Sequence, residues 1–140
     1  MRRNLRPEDL GDLLELAKNA VLATHYADGT VLLSPVWHEW RDGAFEVVIG
    51  MNDVKARQLR RDPRASIVVA EDVPPYRGIE VRGSATFRPA GDTAILRRVA
   101  RRYLGTAAGD AYADQGNAAD QVVIRIAPGT LRAWDFADEF

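Results

Sequence analysis

The stretch Gly29-Thr-Val-Leu-Leu-Ser34-Pro-Val-Trp37-His-Glu-Trp40-Arg-Asp-Gly43-Ala-Phe-Glu-Val-Val-Ile-Gly50-Met-Asn-Asp53-Val-Lys55-Ala-Arg57-Gln-Leu-Arg-Arg-Asp62-Pro-Arg-Ala-Ser66 decides the fold. Two β-rich runs, residues 31–40 and 44–51, flank the tight turn Arg41-Asp42-Gly43, so an antiparallel pair is expected. A basic segment follows at once. It opens at Asn52-Asp53-Val54-Lys55, and a helix is predicted over 54–61, ended by Asp62-Pro63 because the residue before proline is pushed out of the helical region. A strand that runs into the start of a basic helix makes a seat for an anion, since backbone N–H groups and the helix dipole favour negative charge there. Lys55 adds a full charge. The segment therefore predicts a phosphate-bearing cofactor lying across a small sheet.

The flanking sequence extends this β-rich pattern. Pro7-Glu8-Asp9 reads as a helix start, with Leu10, Leu13, Leu14 and Ala17 repeating at helical spacing. Residues 21–26 read as a strand closed by the turn Ala27-Asp28-Gly29, and 65–70 as a buried strand. Residues 78–88 alternate, with Ile79, Val81, Gly83, Ala85 and Phe87 on one face, as a half-buried antiparallel strand does. A helix is expected from Gly91-Asp92 to Tyr103 with Ile95, Leu96, Val99 and Tyr103 inward, and a shorter one over 108–115. Strands at 121–127 and 131–136 close the chain around Pro128-Gly129. This is a mainly β, α+β pattern of six to seven short strands, and it favours a closed antiparallel barrel with flanking helices. A barrel that small is filled by side chains, so a ligand must sit at its mouth, on its outside or at a subunit seam.

With 140 residues and no linker or repeat, one domain over 1–140 is expected. The absence of cysteine removes disulfides, iron–sulfur clusters and thiol catalysis. A net charge of −1 speaks against nucleic acid as a partner, and the basic row Arg97, Arg98, Arg101 and Arg102 reads as a solvated helix face. No run is long enough to span a membrane, and the N-terminus lacks the apolar stretch of a signal peptide, so a cytoplasmic protein is expected.

Only two lysines occur, and Lys55 is the one at a helix start. Arg57 lies two residues on, and such residues point apart on a regular helix. It shares a phosphate with Lys55 only if the opening turn is distorted; otherwise it meets another part of the ligand or faces solvent. Alternation places His38 and Trp40 on one face and Trp37 on the other. Trp37 is either a ring contact or part of a core or subunit interface. His25 and His38 have no metal-ligand spacing, so no metal site is expected. Gly83, lacking a side chain in mid-strand, signals a close approach. No Ser-His-Asp set, no paired carboxylates at a predicted cleft and no Walker loop is found. That fits a cofactor enzyme, in which the cofactor carries the chemistry and no catalytic side chain is required.

The chain resembles the split β-barrel flavin and deazaflavin oxidoreductases, the pyridoxamine-phosphate-oxidase-like superfamily, most closely its small members that use coenzyme F420. The residues carrying the resemblance are Ala23-Thr24, Asp28-Gly29, Ser34-Pro35-Val36-Trp37, the run 45–50 leading into Lys55-Ala56-Arg57, and Leu59-Arg60-Arg61-Asp62-Pro63-Arg64-Ala65-Ser66. Val81-Arg82-Gly83-Ser84-Ala85 and Ile124-Arg125-Ile126-Ala127-Pro128 continue it in register.

The resemblance implies a homodimer with the cofactor between subunits, its phosphate near Asn52, Lys55 and Arg57. It places the ring along Ser34, Pro35, Val36 and Trp37 and along Val48, Ile49 and Gly50. In relatives the loop holding Tyr76 and Arg77 reaches the groove from the partner subunit, and Trp134 and Arg132 lie beside it. The second strand lacks the basic residues common in FMN-using members, which favours F420, with FMN as the alternative. The implied activity is hydride transfer from reduced F420 to a conjugated small molecule. Non-catalytic binding of haem, another tetrapyrrole or a cofactor is the alternative function.

Overall fold

One strand organises the sheet. In the computed structural model, which describes residues 1–140, β6 runs twelve residues, Gly78–Pro89, and is shared by both halves of the fold. Its first half lies between β5 (Arg64–Ala70) and β8 (Thr130–Trp134); its second half pairs with β7 (Gln121–Ile126). The path continues through β1 (Ala20–His25) to β2 (Val31–Val36) on one side. On the other it passes through β4 (Ala44–Gly50) to β3 (Glu39–Arg41). All pairings are antiparallel and the order is β2-β1-β5-β6-β7-β4-β3, with β8 beside β6. β2 and β3, the two ends of this path, are consecutive in the chain and separated only by Trp37 and His38. The sheet therefore curls until its edges almost meet, giving a mainly antiparallel split barrel.

The expected strand over 31–40 is thus two strands. The chain leaves β1 after Val36, crosses the open seam in two residues and pairs with β4 instead. The alternation survives the break: His38 is fully buried against Phe45, and Trp40 packs on the same ring, while Trp37 faces outward.

The expected N-terminal helix is a single 3-10 turn, Pro7–Leu10, stopped by Gly11 at φ +61°. Leu10 and Leu13 still enter the core, so the apolar spacing reflects burial rather than helix. The interior is one cluster that includes Phe45, Leu22, Ile67, Ile79, Ile124 and Ile126.

Three helices lie outside the sheet. α1 (Val54–Arg61) buries Ala56 and Leu59, and its Gln58 reaches Thr24 of β1 at 2.5 Å. α2 (Ala94–Leu104) and α3 (Thr106–Asp114) form a hairpin between β6 and β7. The arginines of α2 are not a free basic face: Arg97 and Arg101 bond Asp110, and Arg98 bonds Glu39. No helix is long and apolar enough to cross a membrane.

Gly83 carries out the close approach its position foretells. A Cβ there would stand 2.1 Å from the Ala127 carbonyl oxygen, so the β7–β8 turn lies directly on the backbone of β6.

Candidate functional site

β2 and β4 end beside each other across the seam, and α1 begins where β4 stops. A groove of about 410 Å³ forms there. Pro35, Val36 and Trp37 line one side and Val48, Ile49 and Gly50 the other, with Lys55 at the start of α1. Seven residues singled out from the sequence therefore meet in one cleft.

Four further residues complete the lining: Asn19, Asp53, Leu96 and Tyr112. Leu96 and Tyr112 come from the α2–α3 hairpin, over 40 positions away in sequence, and no local pattern brings them to β2. Asp53 was open to prediction, since Asp before a helix is a strong N-cap. Its carboxylate accepts the Lys55 backbone N–H at 2.9 Å and lies 3.0 Å from the Lys55 ammonium. Burial works against ionisation of Asp53, but the hydrogen bonds from Lys55 outweigh it and hold its pKa below the usual carboxylate value. The anion seat expected at this helix start is thus partly filled by the chain's own carboxylate. The ammonium keeps donors to spare, since it has three and Asp53 is its sole partner.

The walls are aromatic and apolar. The indole of Trp37 stacks on Tyr103 with centroids 5.0 Å apart and planes 13° apart, and Tyr112 tilts against it at 5.2 Å. Trp37 therefore packs against its own chain and also lines the groove.

The other candidates lie elsewhere within this chain. Ser34 pairs with Leu22, on the opposite side of β2 from Pro35. Asn52 is exposed in the turn before α1 and does not line the groove. Arg57 is exposed and its guanidinium has no partner; two positions apart on a regular helix, it and Lys55 point apart.

Arg77 is held in a structural network. It donates to buried Glu71 through Nε and Nη2, both at 2.8 Å, and through Nη1 to Asp12 at 2.7 Å and the Leu10 carbonyl at 2.8 Å. Tyr76 is exposed on the same loop and packs edge-on against Phe136. Trp134 packs over Gly78 and lines a separate recess with Arg3 and Arg132. Neither histidine lines the groove. His38 is sealed in the core with both ring nitrogens unpartnered, and His25 borders a polar recess with Arg64 and Ser66.

Residues 7–135 match the family model described as pyridoxamine 5'-phosphate oxidase. Among solved structures, an F420 reductase is 27% identical, the match covering 90% of this chain and 98% of that one, with a TM-score of 0.75. A conserved hypothetical protein from Mycobacterium tuberculosis is 28% identical over 95% of this chain and 86% of its own, also at a TM-score of 0.75. A FAD-binding protein from Mesorhizobium loti shares the fold, at 19% identity, 95% and 97% coverage and a TM-score of 0.64. A search of the curated proteins finds no match. A split barrel, a groove at its seam and a family match over nearly the whole length agree: the chain belongs to the pyridoxamine 5'-phosphate oxidase family.

Proposed function

We propose that this chain is an oxidoreductase whose groove binds the deazaflavin coenzyme F420 and serves hydride transfer to a small conjugated substrate, with FMN as the alternative coenzyme. The observation that carries the reading is the groove itself. It joins an apolar strip, Pro35 to Trp37 facing Val48 to Gly50, to a single cation, Lys55, at one end. Such a donor set fits a planar ring bearing a phosphate: the ring needs flat apolar walls, and the phosphate needs a charged donor. The 27% identity to an F420 reductase supports the deazaflavin over the flavin.

When bound, the coenzyme supplies the hydride. The chain's own residues bind, orient and exclude water. Val36, Val48 and Ile49 give the ring an apolar bed, and Gly50 leaves its backbone open to close approach. Lys55, with ammonium donors beyond the one facing Asp53, would hold the phosphate. Arg57 and Asn52, both exposed beside this turn, are the candidates for the outer part of the coenzyme.

We assign a second copy of the chain to the outward face of β1, β2 and β5, where Val21, Val31 and Leu33 are 37%, 48% and 65% exposed. Tyr76, exposed on its loop, would serve the partner's groove rather than its own, while Arg77 holds that loop in place.

Titration with F420 and with FMN, followed by ring fluorescence, tests the reading. Saturable binding of one of them is expected. Dissociation constants above about 1 mM for both, weaker than roughly −4 kcal/mol, would refute it. Multiple-turnover oxidation of reduced coenzyme by a quinone or enone panel then separates an enzyme from a storage protein.

A further inference from the structure

Trp37 and His38 belong to no strand, so no ladder holds the seam they cross. Helix α2 holds it from outside. The His38 N–H donates to Tyr103 Oη at 3.1 Å, and the His38 carbonyl accepts from the Arg102 guanidinium. Both backbone groups that a strand would have paired are satisfied by two neighbouring side chains of one helix. Tyr103 Oη also donates to the Lys18 carbonyl at 2.7 Å, which ties the seam to the segment before β1. The next residue, Glu39, receives Arg98 at 2.9 Å. α2 is itself braced: Arg97 reaches Asp110 and Asp114 of α3 at 3.1 and 2.6 Å.

Tyr103 does not line the groove. Its ring nevertheless lies on the indole that does. We infer that Tyr103 is the positioning residue of the groove: it fixes the plane of Trp37 by stacking on it and by bonding the adjacent backbone amide. A wall ordered before binding spares the ligand the cost of ordering it. That cost is about 0.5–1.5 kcal/mol for one side chain, or roughly 2–10-fold in affinity. This consequence rests on the groove being the coenzyme site, whereas the fixing of Trp37 does not.

The chain contains three tryptophans, so protein grown with 5-fluorotryptophan reports each by fluorine NMR, and Trp37→Phe assigns the signal of interest. In coenzyme-free protein, Tyr103→Leu is expected to shift and narrow the Trp37 resonance while those of Trp40 and Trp134 stay in place. Tyr103→Phe keeps the stack, loses both Oη bonds and should move the same resonance less; if the leucine variant does not fold, this one decides. A Trp37 signal unmoved in both variants, or all three signals moving together as in general loosening, would overturn the inference. Coenzyme affinity should fall roughly 2–10-fold in Tyr103→Leu; unchanged affinity with a loosened Trp37 would overturn the groove role. A wild type that binds neither coenzyme while Trp37 loosens as described would retire the functional reading and leave the positioning role standing.

Discussion

Lys55 and His38 show how differently one chain uses two basic side chains: the first lines the groove and the second is sealed in the core. Lys55 is mostly covered yet has only Asp53 as partner. Replacing it with alanine should leave the fold intact, because Asp53 still caps the helix through the backbone amide. Coenzyme binding should weaken by roughly 1.5–3 kcal/mol, the worth of a charged hydrogen bond, and titration of the variant measures it. His38 is a structural counterweight. Burial, reinforced by the Arg102 cation, pushes its pKa down from 6.5 to about 4. Phe45 and Tyr103 pack around it, Arg102 bonds its carbonyl, and Glu39 is its chain neighbour. In the unfolded chain the ring takes a proton near pH 6.5, while the folded ring resists until about pH 4. Stability should therefore fall as pH drops through that window, by about 3 kcal/mol in all. Urea denaturation at pH 7 and pH 4.5 checks this, and His38→Phe should flatten the difference.

Elements settle what the residues can do. The start of α1 is at once a cap and a competitor for the anion. Asp53→Asn preserves the cap, since asparagine caps as well as aspartate, and removes the charge beside Lys55. Affinity for a phosphate-bearing coenzyme should then rise by up to about five-fold, matching the 0.2–1 kcal/mol of a partly exposed ion pair. A fall in affinity would place the ligand's negative end elsewhere. Strand β6 depends on Gly83 in the same local way. An alanine methyl group would meet the Ala127 carbonyl at 2.1 Å, so either the β7–β8 turn or the strand must shift. Gly83→Ala should cost roughly 1–3 kcal/mol of stability, read as a lowered Tm. Both features were legible in the sequence, as an Asp before a helix and a glycine in a strand, because each acts through its own backbone. The fracture of the 31–40 run was not. Its apolar pattern is continuous, and the break comes from the curl of the whole sheet.

At the scale of the molecule the two edges of the sheet face each other across Trp37 and His38, and the groove exists because they do not quite close. The same curl turns Val21, Val31 and Leu33 outward as one exposed apolar face. If a second copy covers that face, Leu33→Asp should convert a dimer to monomer in sedimentation and weaken coenzyme binding with it. A variant that stays dimeric would move the interface elsewhere. Lys55 could be chosen from the linear order, because it stands where a strand gives way to a basic helix. Pro35 to Trp37 and Val48 to Gly50 were marked out by the family resemblance, since alternation along a strand does not say which end of it borders a groove. Leu96, Tyr112 and Tyr103 were open to neither route. They enter through a hairpin inserted between β6 and β7, and apolar periodicity says that such a helix is buried without saying against what. The periods of 2 and 3.6 are properties of the chain and were readable along it. Which surfaces meet is a property of how the layers pack, and packing alone brought α2 over the seam.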